Sequence, residues 1–482
     1  MAGREIVIVG AGMGGLALAL RLAHRGHRVT VYEKTDTVGG RNRPVRVNDC
    51  GFDGGPTLLM MLDPFEKLFA DVGERLQDHL KLTRMDPSYR VFYRDGTRLR
   101  GLSDRVAMRE QIACLFGKDE ATGFDRLMAD LEAMYREAIP LFVRRNYDRL
   151  TDFANPSALS SVIRHRMVSN YARRITGYMQ DPKLRMLFSF QTMYLGLSPF
   201  AAPWVYAVLT YMEYGQGIWY PEDGLTQLST VMARLAEARG AKIVLNQPVS
   251  RVEGSTVYLE SGESRRADAV VLNADLPYAE SELLRLPAKK RTYSCSCHAL
   301  YIDYHGSLPE LDHHNVFFGA DFRGNLDQIF NRLEVPEDPA FYAAVSCRSD
   351  RCKALPGHEN LFVLVPCPNL DYPWSERDAA YIKSRVFGRL AEEVGFDPSR
   401  VAGMETFGPT EYATVLNLEK GAAFGLSHHF GQSAFMRPNN RLKSNQDVYF
   451  VGASTVPGNG LPMVLISAEL VEQRLNARFD HV

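Results

Sequence analysis

Ile6-Val7-Ile8-Val9-Gly10-Ala11-Gly12-Met13-Gly14-Gly15, followed by a helical run Leu16–Arg25 and by Val29-Thr30-Val31-Tyr32-Glu33, reads as strand, glycine turn, helix and second strand. Each glycine has a physical task. Gly10 allows the tight turn out of the strand. Gly12 lets the backbone approach a pyrophosphate seated on the helix N-terminus, with Gly14 in the same turn. Gly15 permits close packing of helix on strand. Glu33 closes the second strand, placed to accept hydrogen bonds from ribose hydroxyls, and Lys34 follows it. Six residues beyond Glu33, Gly39-Gly40-Arg41 supplies a second close backbone approach to a diphosphate, with an arginine beside it. A lone glycine fingerprint does not separate NAD from FAD. The second glycine pair shifts the reading to FAD.

The same pattern recurs far along the chain. Ala241–Val249 reads as a strand, a turn and the start of another strand; Val249–Val252, Thr256–Leu259 and Ala269-Val270-Val271-Leu272 read as further strands, the last stopping at Asn273-Ala274-Asp275. Asp447–Ala453 is another strand running into a glycine turn, and a helix beginning near Met463 or Val464 follows Pro457-Gly458-Asn459-Gly460-Leu461-Pro462. The fold class is therefore α/β, with a Rossmann-like nucleotide domain assembled from separated segments: 1–79, 221–279 and 421–482. Between them lie a helical region, 80–220, with helices over Phe124–Phe142 and Ser157–Met179, and a mixed region, 280–420, with a strand at Leu361–Pro366 and a helix at Asp378–Glu393. Together these two form an inserted α+β substrate-binding region.

Composition narrows the function classes. With 482 residues, 45% hydrophobic and 23% charged, the chain is long enough for a large core. A net charge of −1 gives no global attraction to nucleic acid, and none is expected as a partner. The seven cysteines are odd in number and scattered, so reduced thiols are the expectation. Cys295-Ser296-Cys297 lacks the second pair a metal site needs, and no metal is expected. No secretory signal is read in Ile6–Gly15, and no apolar run reaches the length of a membrane span.

Further phrases carry a family resemblance. These are Gly51-Phe52-Asp53-Gly54-Gly55-Pro56-Thr57, Asp181–Arg185 with Ser189–Thr192, Gly217–Gly224, Phe435–Asn440 and Val451–Glu469. Together with the N-terminal signature they resemble the carotenoid desaturases, the bacterial and fungal phytoene desaturase-type flavoproteins within the amine oxidase-like superfamily, over nearly the whole chain. The resemblance implies a GR2-type flavoprotein fold. It places Gly10, Gly12, Gly15, Glu33, Gly40 and Arg41 on the FAD diphosphate and adenosine, and the Val249 backbone by the adenine. It puts Gly452 and Pro457–Met463, which include Gly460, Leu461 and Pro462, by the diphosphate and the isoalloxazine. Gly55, Pro56, Thr57 and Asn273 join the cofactor-binding set. The chain departs from the family pattern at Gly54, Ser454, Val456 and Asn459.

The implied reaction removes a hydride and a proton from adjacent carbons of a polyene, with the hydride going to flavin N5. Such chemistry needs alignment and exclusion of water rather than a nucleophile triad. Candidate acid/base groups are Asp148, within Arg144-Arg145-Asn146-Tyr147-Asp148-Arg149, together with Glu213 and Glu222. Tyr194, Phe200, Trp204 and Tyr206 read equally as a polyene tunnel or as core. His428-His429 reads as a solvated or structural pair. A polyene dissolves in the bilayer. The basic-apolar stretch Val162–Ile175, with Arg164, Arg166, Arg173 and Arg174, therefore reads as an amphipathic helix docking on an anionic leaflet. The expected setting is cytoplasmic, peripherally associated with the cytoplasmic membrane, with homo-oligomers left open. Phe190–Gly196 looks closest to desaturases of thirty-carbon precursors such as diapophytoene, and other phrases fit forty-carbon phytoene as well. A carotenoid oxygenase, isomerase or saturase would share these motifs. A non-redox isoprenoid escort protein such as a Rab GDP-dissociation inhibitor shares the fold ancestry. Oxygen and membrane quinones both suit the family as terminal acceptor.

Overall fold

The computed structural model describes residues 3–148, 152 and 155–480; Arg149, beside Asp148, lies outside them. The N-terminal segment forms β1 (Glu5–Val9), α1 (Met13–His24) and β2 (Arg28–Tyr32). The later nucleotide-domain segments add α2 (Thr226–Glu237), β3 (Lys242–Val244), β4 (Ala269–Leu272), β5 (Val448–Phe450) and α3 (Leu461–Phe479). The five strands make one parallel sheet in the order β5-β4-β1-β2-β3. In its register Ile6 faces Ala269 and Val29, and Val9 faces Leu272 and Tyr32. The unbroken runs of valine, isoleucine and leucine suit strands covered on both faces. α1 is buried along nearly its whole length, from Met13 to Ala23, because it packs between the sheet, α2 and α3. Gly14, Gly15, Ala17, Ala19 and Ala23 keep it slim enough to fit there.

A second sheet has seven strands, in the order Val401–Phe407, Ser296–His305, His358–Cys367, Phe341–Val345, His314–Phe317, Tyr89–Phe92, Arg98–Gly101. Its neighbours are antiparallel except His314–Phe317 beside Tyr89–Phe92. The segment read from sequence as helical thus also supplies the edge of this sheet. Helix Glu376–Val394 buries Ile382, Val386 and Leu390 in one core with Leu300, Ile302, Val363 and Val365.

Two helix readings change. The first begins earlier, at Lys118, runs to Ala138 and then widens into a π turn, Ile139–Val143, which holds Pro140. The continuous helix over Ser157–Met179 does not form. A helix over Pro156–Arg164 stops, Arg166 takes φ +51°, and a short turn, Tyr171–Arg174, restarts under an Asn170 cap. Tertiary hydrogen bonds replace the helical ones: Trp204 N–H donates to Ser169 O (2.7 Å), Val205 N–H to Met167 O (2.9 Å) and Tyr171 N–H to Ala202 O (2.9 Å). Met167 and Tyr171 are buried where the chain pairs with the 202–205 strip.

Candidate functional site

The end of β1 turns at Gly10, which sits at φ +100° and donates its N–H to Tyr32 O (2.7 Å). α1 starts after Gly12 with no side chain capping its first turn, so its free N–H groups face outward. The second glycine pair folds directly onto the first. Gly39, at φ +110°, donates to Ala11 O (2.8 Å), and a Cβ on Gly40 would stand 3.3 Å from Gly12 Cα. Behind them a Cβ on Gly15 would meet Gly10 O at 2.4 Å and Asn273 Oδ1 at 2.8 Å. Asn273 ties β4 to β5 by donating to Val451 O (2.9 Å), while its Oδ1 is buried without a partner.

Glu33 is 7% exposed, and its carboxylate is also part of the turn. One oxygen accepts from Ala11 N–H (2.8 Å), the other from the N–H (3.0 Å) and hydroxyl (2.9 Å) of Thr35. A carboxylate has about four acceptor positions, which leaves room for ribose hydroxyls. Burial lowers the pKa of Lys34 and Arg41; the Arg41 guanidinium donates to Ala423 O (3.0 Å) and faces Asp275.

A second open helix terminus points at the same space. α3 begins at Leu461, ahead of the Met463 or Val464 read from sequence, because Pro462 is tolerated in a first turn whose N–H groups have no helical partner. Gly460 precedes it at φ +114° without a side-chain cap. Asn459 N–H donates to His428 Nε2 (3.2 Å), and a Cβ on Gly458 would strike that same nitrogen at 2.6 Å. His428 is therefore a structural wall residue, kept neutral by burial.

One cavity of about 890 Å³ connects these parts. Gly10, Gly12, Gly14, Glu33, Lys34, Gly39, Gly40 and Arg41 line it, as do Gly55, Pro56, Thr57, Val249, Asn273, Gly452, Gly460, Leu461, Pro462 and Met463. Gly15 lies behind the wall as packing. A dinucleotide fits this half. Two uncapped helix termini offer free N–H groups, an unpartnered amide oxygen waits between them, and the turns at Gly12 and Gly39 leave no room for a Cβ. Two departures from the family pattern find local reasons. A Cβ on Gly54 would stand 2.4 Å from Arg43 O, and the Ser454 hydroxyl donates to Asp275.

The other half of the cavity is walled by apolar and aromatic side chains. They include Ile139, Phe142, Phe190, Met193, Tyr194, Tyr206, Leu209, Phe318, Phe322, Tyr342 and Phe424. Of the four aromatics singled out in sequence, Tyr194 and Tyr206 line it. Trp204 does not: it is 2% exposed, stacked on Tyr178 and edge-on to Tyr171. Phe200 packs against Phe322, outside the lining. The wall residues from Phe318 to Phe424 carried no sequence signal, because they come from distant elements and share no spacing. Of the three acid/base candidates, Asp148 pairs with Arg474 (2.8 Å), which lowers its pKa, and sits in a separate polar depression. Glu222 is exposed beside Lys81 (3.3 Å). Only Glu213 adjoins the cavity wall, fully buried behind Tyr194.

Known proteins match this chain along its length. The family described as flavin containing amine oxidoreductase matches residues 13–471. A zeta-carotene-forming phytoene desaturase of Myxococcus xanthus is 41% identical, over 98% of this chain and 94% of its own. A 4,4'-diapophytoene desaturase (4,4'-diapolycopene-forming) of a Methylomonas species is 31% identical, over 99% and 97%. Among solved structures, a putrescine oxidase variant redesigned in its cofactor binding shares the fold at TM-score 0.65 and 17% identity, with 100% of each chain covered.

Proposed function

The chain belongs to the flavin containing amine oxidoreductase family, and on that premise we propose that it is an FAD-dependent carotenoid desaturase acting on a phytoene- or diapophytoene-type polyene. The observation that carries this reading is the single cavity, glycine-walled at one end and aromatic-walled at the other. When bound, FAD supplies the oxidant that takes a hydride from the polyene. The protein's own residues do the rest. The α1 terminus, Gly39, Gly40 and Arg41 would hold the diphosphate, and Glu33 the ribose. The loop Gly458–Met463 and the α3 terminus would border the flavin ring, where helix N–H groups favour negative charge. Phe190, Phe318, Phe322 and Tyr342 exclude water and hold an extended apolar chain in line.

Access to the substrate points to a membrane surface. Among the described residues no helix is long and apolar enough to cross a membrane. Leu159, Ile163 and Val168 are 60, 68 and 59% exposed; the exposed Arg164 and Arg166 stand among them in the chain, and the exposed Arg173 follows five residues after Val168. This patch adjoins the cavity: Arg164 and His165 pair with Glu137, one residue before the lining residues Ala138 and Ile139. Apolar groups rimmed by arginines suit an anionic leaflet. Arg174 drops out of the docking set, because it lies over the Trp204 ring at 5.2 Å.

The test is anaerobic incubation of FAD-reconstituted protein with phytoene, diapophytoene or squalene in liposomes, reading flavin and product spectra. Flavin bleaching with new polyene bands is the expected result, and the responding precursor sets the chain length. A flavin that stays oxidised with all three would defeat the desaturase reading and favour an isomerase or an oxygenase of finished carotenoids. In the same liposomes, charge reversal of Arg164, Arg166 and Arg173 should weaken binding to anionic vesicles by about 1 kcal/mol per arginine or more at low salt. Unchanged sedimentation would rule out this patch.

A further inference from the structure

Resting on the desaturase reading, the question left is where the substrate proton goes. Tyr194 lines the cavity, and its carbonyl accepts from Asn459 Nδ2 (3.1 Å), in the loop assigned to the flavin side. Its hydroxyl donates to Glu213 Oε2 (3.0 Å) and lies 2.6 Å from the Tyr89 hydroxyl. Glu213 is fully buried, on a widened π turn, Met212–Gln216, of a kind often found at functional sites. Its other oxygen accepts from Gln191 Nε2 (3.1 Å). Gln191 is itself oriented by donating to Leu187 O (2.9 Å) and accepting from the Thr210 hydroxyl (3.3 Å).

The groups acting on Glu213 are the neutral donors Gln191, Tyr194 and Tyr214. Tyr89 and Tyr171 lie just beyond, and His314 lies past Tyr89, held neutral by burial. Donors stabilise the carboxylate, no cation among the described residues neutralises it, and burial prevails, pushing its pKa up to about 8. A salt-bridged structural carboxylate, such as Asp148 beside Arg474, is driven the opposite way.

We propose that Tyr194 is the catalytic base of the reaction, taking the proton from the polyene while its own hydroxyl proton passes to the Glu213 carboxylate. One C–H bond leaves as hydride to the FAD oxidant. The neighbouring C–H bond breaks heterolytically, and its electron pair becomes the second bond of the new C=C. That proton arrives on the Tyr194 hydroxyl oxygen as the tyrosine proton moves to Glu213 Oε2. Tyr194 touches the substrate; Glu213 acts through it. The arrangement keeps an anion out of the apolar chamber while leaving a base one hydrogen bond behind its wall. Because the relay needs an empty carboxylate, turnover rises with pH and levels above about 8.

The test uses the FAD-reconstituted full chain, as wild type, Glu213→Gln and Tyr194→Phe, both near-isosteric. Infrared spectra from pH 6 to 10 without substrate should show a protonated-carboxyl band that fades near pH 8 and is missing in Glu213→Gln. Absence of that band in wild type overturns the relay. In anaerobic flavin bleaching with phytoene and diapophytoene, each variant should keep its flavin yet react about 100-fold slower or more. Glu213→Gln should also lose the rise with pH. Wild-type rates and pH profiles in the variants would overturn the relay alone, whereas a wild type that bleaches with neither polyene takes the desaturase reading down with it.

Discussion

At one end of the cavity the wall is backbone: Gly10, Gly12, Gly39, Gly40 and Gly460 leave amides bare around two helix termini. At the other end it is side chain: Phe190, Tyr194, Phe318, Tyr342 and Phe424 meet from four distant stretches. The first end tolerates little change: a Cβ would stand 2.7 Å from Asn273 Oδ1 at Gly12 and 2.6 Å from Asn42 O at Gly39, and Gly10, Gly40 and Gly460 hold positive φ that side chains rarely adopt. Tyr194 apart, the second is defined by shape, so its other members can change if the enclosed volume is kept. On the proposed reading, one surface would hold the cofactor and the other the polyene.

The sharpest way to break this contrast is Gly15→Val. Its first carbon would stand 2.4 Å from Gly10 O, backbone that cannot swing aside. Overpacking there costs the fold about 1–3 kcal/mol and pushes α1 off the glycine turn, so the flavin retained through purification should fall steeply. Yellow protein at wild-type occupancy would end the backbone argument. Glu33→Ala is milder. It removes the acceptor for Ala11 N–H and Thr35, and the expected loss is about 1–3 kcal/mol of FAD affinity in a folded chain. Fluorescence titration and circular dichroism check both parts; undiminished affinity would remove Glu33 from the ribose site. Leu209→Trp should have the smallest effect and the opposite signature. It fills the apolar end, so flavin content should hold while polyene turnover falls about tenfold. A parallel fall in flavin content would show that the two ends are not independent.

The nucleotide end was legible in the residues, for a local reason. Strand, glycine turn, helix and closing acid lie within Ile6–Glu33, and the demand for glycine arises from contacts a few residues away. Val451–Met463 was legible in the same way, though its helix starts at Leu461. Asn273 could be placed at a strand end, but its unpartnered oxygen between two helix termini could not be foreseen. The polyene end was hardly legible. Tyr194 and Tyr206 face the cavity while Trp204, two residues from Tyr206, is stacked on Tyr178 in the core. Nothing in their composition or spacing separates the two outcomes.

The stretch Val162–Ile175 shows the same limit. Its basic and apolar alternation is that of an amphipathic helix, yet hydrogen bonds to residues 202–205 break it at Arg166 and fold Arg174 onto Trp204. Hydrophobic patterning and glycine placement are written into neighbouring residues, so they carry the α/β class, the parallel sheet and the glycine-walled end of the cavity. The aromatic chamber, the buried Glu213 behind Tyr194 and the exposed patch at Leu159, Ile163 and Val168 depend on which distant segments meet. Their burial and pKa values exist only once the chain has packed, because desolvation belongs to a three-dimensional neighbourhood rather than to a residue.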